Sequence, residues 1–145
     1  MRDIFSQLKL VKSIAAAAIA ADNTPIAVDQ RGFHACVYAI AVGPGGITFS
    51  PTNKIEFKLS HSDDGVNWTP VTNDDVQLEN GGSVGEGGIV KALTAPHDTA
   101  AVYKVGYIGN RNFHRLLADF SGTHTDSPTP IAATAILGHP LVAPV

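Results

Sequence analysis

The chain has 145 residues, a formal net charge of −3, and only 16% charged residues against 44% hydrophobic ones. For this size, surface scaling gives roughly 7,000 Å² folded against roughly 22,000 Å² unfolded, which allows one real core without disulfides or metal. The acidic balance lacks the basic stripe that neutralises phosphates, which argues against a direct nucleic-acid partner, and a charge content below the ~25% of average domains suggests a surface partly covered by a partner.

In chain order, Met1–Asp22 sets Arg2, Lys9 and Lys12 ahead of the Ala-rich run Ser13 to Ala20, a pattern that imitates a secretory signal. The run is short and Asp3 interrupts the basic part, so residues 1–22 are read as an N-terminal structural arm and 23–145 as the domain proper. Alanine content permits a helix, but Phe5, Leu8, Leu10 and Ile14 fall mostly on alternate positions, which favours an extended strand at a sheet edge. Ala35–Val42 is continuously apolar and holds the lone Cys36, a small buried hydrophobe with no internal disulfide partner. Lys54–Ser60 alternates without a fault, with Ile55, Phe57 and Leu59 on one face. Ser62-Asp63-Asp64-Gly65 is a hairpin turn and Asn67–Val71 the returning strand, Pro70 falling at an edge.

Asn80–Gly88 is too glycine-rich to prefer one shape and reads as a mobile loop. A short strand follows at Ile89–Leu93. A second hairpin is expected from Val102–Ile108, a Gly109-Asn110 turn and Asn112–Phe120, with Leu116, Ala118 and Phe120 sharing a face. After the polar loop Thr123–Pro130, Ile131–Leu137 is again continuously apolar. Such runs belong to strands covered on both faces, by a second sheet or a neighbouring subunit. Strands spaced by turn signals predict an all-β domain, a sandwich or small barrel. No run approaches the roughly 20 apolar residues of a membrane helix, so no membrane partner is expected.

Catalytic and metal chemistry find little support. The glycine-rich stretch lacks the Gly-Lys-Ser/Thr ending of a phosphate loop. The six histidines form neither His-x-His nor His-Glu-x-x-His, and His124-Thr125-Asp126 is the nearest approach to a ligand cluster. No Gly-x-Ser-x-Gly elbow is present. Asp63-Asp64 is better explained by the turn than as paired carboxylates. The expectation is a non-enzyme without metal or cofactor.

His61 to Trp68 partly resembles the Asp-box of sialidases, with Asp63, Gly65 and Trp68 at its spacing, His61 for the usual Ser and Asn67 for the usual Thr. One box supports a hairpin with an Asp-closed turn and a packed Trp68, not sialidase activity. A wider resemblance joins Thr52–Gly65, Tyr103–Asn110 and Thr129–Pro140 with the opening Ile4–Lys9. Together these stretches resemble a family of small proteins encoded in the head-gene clusters of tailed bacteriophages and prophages. The resemblance implies a capsid decoration, or cement, protein, made in the host cytoplasm and placed on the capsid exterior of the virion, where it clamps the major capsid protein. Such proteins are β-sandwich or jelly-roll-like and are homo-oligomers, here a dimer or trimer. The combined expectation is an all-β, antiparallel β-sandwich or jelly-roll-like single domain with an extended N-terminal arm. Both chain ends are more apolar than free tails should be, so Phe5, Leu8, Leu10, Val11, Leu141, Val142 and Val145 are the candidate capsid or subunit contacts. Alternatives are another phage structural subunit of the tail or head-completion type, and a carbohydrate- or host-surface-binding β module using Trp68.

Overall fold

A computed structural model describes residues 3–142. Among the described residues the regular structure is ten strands and two single 3-10 turns. The long strands are β1 (Leu8–Ile19), β3 (Phe33–Val42), β4 (Lys54–Ser62), β8 (Ala101–Tyr107), β9 (Phe113–Ser121) and β10 (Thr129–Pro140). Shorter pieces are β2 (Val28–Asp29), β5 (Thr69–Pro70), β6 (Val76–Leu78) and β7 (Ile89–Leu93).

The pairing is nested. β1 pairs with β10, β2 with β9, β3 with β8 and β4 with β7, all antiparallel. The chain is thus one long hairpin folded back on itself. Cross-pairings of β10 with β3 and of β9 with β4 roll it into two sheets. The first has the order β1-β10-β3-β8-β6; the second is β2-β9-β4-β5, with β7 also beside β4. Two packed antiparallel sheets with this nesting are a β-sandwich of jelly-roll topology. The period-two side chains of both inner faces meet in the core, where Tyr38, Ile40, Ile55, Phe57, Leu59, Leu116 and Leu137 are fully buried.

The Ala-rich segment is extended, as expected, but the alternation that pointed there is not kept: Phe5 lies in the 3-10 turn before the strand, Leu10 faces outward and Ile14 inward. β1 forms an edge of the first sheet, and bulges near Lys12–Ile14 and Ile14–Ala17 shift its register against β10. The first bulge buries both Ser13 and Ile14. After β1 the chain crosses to the second sheet. There Asp22 Oδ1 accepts the Phe120 N–H at 2.8 Å, and Asn23 Oδ1 accepts the Ala118 N–H at 2.7 Å.

Three sequence expectations need correction. β8 and β9 do not form a hairpin; they lie in different sheets. The Ile108 and Gly109 amides donate to the Asp75 carbonyl at 2.8 and 3.0 Å, which carries the connection over the end of the sandwich. Tyr107 and His114 consequently face each other across the interior, ring centroids 4.8 Å apart. The strand expected over Asn67–Val71 shrinks to Thr69–Pro70, since Asp64 holds Val66 and Asn67 in the turn. The glycine-rich stretch does take a specific shape: Gly85 bridges Ile89, and the buried Gly88 accepts the Leu59 amide at 2.9 Å.

Candidate functional site

Both ends of the described chain reach the same end of the first sheet, because Leu8 is in register with Gly138. Phe5 sits in a 3-10 turn whose amide is held by Asp3 Oδ1 at 2.9 Å, and its side chain is 88% exposed. Ile4, which the candidate set omitted, is 68% exposed beside it. Leu141 and Val142 are 66% and 79% exposed, with the Leu141 amide fixed to the Gly32 carbonyl at 2.9 Å. Leu10 is exposed on β1, Leu8 is half-buried over Gly138, and Val11 packs against the core. Of the candidates, then, Phe5, Leu10, Leu141 and Val142 are presented outward, whereas Leu8 and Val11 help close the sheet. Val145 lies outside the described residues.

A second surface adjoins this one. The outward positions of the first sheet fall into cross-strand rows. One row runs Leu10, Ile136, Val37, Gly106; the next runs Lys12, Thr134, Ala39, Lys104; a third holds Ala132, Ala41 and Val102. The central positions are half-exposed and Leu10, Lys12, Val102 and Lys104 are exposed, so no strand among the described residues covers the face; at its β6 rim Glu79 and Asn80 line a hollow with Val37 and Lys104. The third row opens onto a groove of about 520 Å³ lined by Ala16, Ala17, Ala41, Val102 and Ala132. None of the strands of this sheet contains Asp or Glu. The signal for this face was the charge-free run Ala35–Val42; what sequence could not supply was which side of it the second sheet covers.

The outer face of the second sheet has the opposite character. Lys54 and Lys58 flank Glu56 at 2.5 and 3.7 Å, and Lys58 also pairs with Asp119. Asp119 raises the Lys58 pKa.

Two buried tyrosine–histidine pairs lie inside the sandwich. The Tyr38 hydroxyl donates to His114 Nδ1 at 2.5 Å, and His114 Nε2 donates to Gln30 Oε1 at 3.0 Å. Burial, helped by neighbouring His61, pushes the His114 pKa down to about 4, so the ring is neutral and both nitrogens are satisfied. The Tyr107 hydroxyl donates to His61 Nδ1 at 3.0 Å while accepting the Arg111 amide at 3.2 Å. Burial likewise lowers the His61 pKa. Desolvation pushes the Cys36 thiol up to about 12, which leaves it unreactive.

In the β4–β5 turn it is Asp64, not Asp63, that closes the loop, accepting from the amides of Asn67 at 2.7 Å and Val66 at 2.8 Å. These bonds, with Asn67 foremost, hold its carboxyl far below the usual range. Asp63 instead pairs with Arg111 at 2.7 Å. Trp68 is half-buried with the Arg115 guanidinium 4.2 Å from its ring centre, so one ring face already has a cation on it. Among the described residues no group of three or more His, Cys, Asp or Glu is placed to hold a metal ion. No helix among them is long and apolar enough to cross a membrane. No family model matches the chain, and no curated protein matches it.

Proposed function

We propose that this chain is a structural virion protein that decorates an icosahedral phage capsid from outside and stabilises it by bridging major capsid protein subunits. The observation that carries the reading is the gathering of exposed apolar side chains from both chain ends, Ile4, Phe5, Leu141 and Val142, at one end of the first sheet next to Leu10. Apolar patches of this kind mark interaction sites, and repeated modest contacts over a shell gain from avidity. The jelly-roll topology is compatible with the role but does not select it, since capsid proteins, lectins and cupins share the architecture. The sequence resemblance to phage head-cluster proteins supplies the capsid context. Sugar stacking on Trp68 is less favoured, because Arg115 already occupies a face of the ring.

The test is to image particles made with and without the gene after mild heat or osmotic shock. Regular extra density on wild-type heads, lost together with shock resistance on deletion, is the expected result. Heads that look and behave alike would move the protein to the tail or to host-surface binding.

A further inference from the structure

We infer that the outer face of the first sheet is itself a docking surface, and that its occupant is an apolar protein surface bearing carboxylates about 14 Å apart, three strand spacings. The inference rests on the decoration reading and names the chemistry by which the chain would grip its partner.

Three observations carry it. The two central strands, β3 and β10, present Val37, Ala39, Ala41, Ala132 and Ile136 with only Thr134 among them on their outer sides, yet among the described residues only their inner sides are covered by a second sheet. Four long strands give a face of roughly 600 Å² in projection, on the order of the ~800 Å² of accessible surface that one side of a standard interface contributes. The third observation is charge. In a chain with 13 Asp and Glu, the strands of this sheet hold none, while the middle row ends in Lys12 on one side and Lys104 on the other. Neither lysine makes an ion pair among the described residues.

That arrangement also decides against the simplest alternative, a second copy laid face to face. A two-fold axis that centres this face on itself with the strands of the two copies aligned, the commoner way that sheets stack, puts the lysine row over the lysine row, and like charges juxtaposed in an interface are costly. Pairing of two copies through the free edge of β1 is hindered as well. Lys9, Lys12 and the two bulges interrupt the regular ladder that strand addition needs. A foreign surface with apolar residues between two carboxylates satisfies the rows and both lysines together.

The experiment adds purified protein back to heads that lack it and measures bound protein by co-sedimentation. The wild type is compared with K12E/K104E and with Ala39→Arg, after circular dichroism and melting have shown each variant folded; K12Q/K104Q replaces the charge reversal if that variant does not fold. At least tenfold weaker binding by the lysine pair variant, with wild-type binding weakened at about 0.5 M salt, where screening shortens to a few ångströms, is the expected result. Wild-type binding that the lysine and Ala39 variants leave intact overturns this inference while the decoration reading stands. A wild type that does not bind heads overturns the decoration reading and this inference with it. An isolated dimer in solution that Ala39→Arg dissociates overturns it in favour of a second copy.

Discussion

At His114 a single side chain ties the interior to solution pH. Its ring is fully buried, with both nitrogens committed to Tyr38 and Gln30, and its pKa falls from the ordinary 6.5 to about 4. Above pH 6.5 neither folded nor unfolded chain binds this proton, so stability is complete there. Between about 6.5 and 4 the unfolded chain takes up a proton that the folded chain refuses, and stability drops, by about 2 kcal/mol at pH 5 and about 3 kcal/mol at the acid limit. His61 acts in the same direction. Urea midpoints at pH 7.5 and pH 5 measure the effect; a His114→Gln variant with an undiminished acid slope would remove His114 as its source. Ser13 illustrates the opposite case, a polar group buried without reward. Its hydroxyl is inaccessible and has no hydrogen-bond partner among the described residues. Ser13→Ala removes that desolvated oxygen and should raise stability by about 1 kcal/mol, or about 3 °C in Tm, read by calorimetry. A lower melting temperature would mean that the hydroxyl is in fact satisfied. Neither role was legible in the sequence, because burial and partners come from other strands: His114 reads as a polar position in β9 until Tyr38 and Gln30 are brought to it.

Strands were the most legible level, and β4 shows why. Ile55, Phe57 and Leu59 alternate with polar residues, and all three are fully buried; period two is a local property of the chain. Pairing is not local. Val102–Ile108 and Asn112–Phe120 carry correct strand patterns with a turn signal between them, yet they separate into two sheets, because β3 and β4 compete for their edges more effectively than they pair with each other. The glycine-rich connection between β6 and β7 escaped the sequence for a related reason. Its shape is set by β4, whose Leu59 carbonyl would lie 2.5 Å from a side-chain carbon at Gly88, a residue with φ of +83°. Gly87 also has positive φ, at +72°, but open space around it. Gly87→Ala should therefore cost about 1 kcal/mol for conformation alone, whereas Gly88→Ala should cost upward of about 3 kcal/mol through added collision with backbone. Urea unfolding of both variants separates a placed loop from a free one; equal midpoints would show that the stretch does not seat on β4.

For the molecule as a whole, the first twenty-odd residues decide whether an arm hangs from a domain or belongs to it. The candidate contacts of this segment were found by asking which apolar residues a free tail should not have, and that question cannot distinguish a side chain closing its own sheet from one awaiting a partner. The structure divides them. Val11, Ile14 and Ile19 of β1 pack into or against the core, and β1 covers the edge of β10. Asp22 and Asn23 then fasten the crossing to β9, so this segment ties both sheets together. Ile4 and Phe5 lie outside that work, exposed ahead of the strand. Two deletions exploit the division. Removing residues 1–20 takes away three apolar core contacts at roughly 1–4 kcal/mol each, comparable to the 5–15 kcal/mol total of an ordinary domain. It also uncovers the long β10 edge, so the product should lose its cooperative urea transition and associate through that edge. Removing only residues 1–7 should leave the unfolding free energy from urea titration within about 0.5 kcal/mol of wild type while weakening attachment to heads that lack the protein. Cooperative unfolding that survived the longer deletion would make β1 a detachable arm after all. Unchanged attachment after the shorter one would leave the sheet face, rather than the chain ends, as the surface that holds the particle.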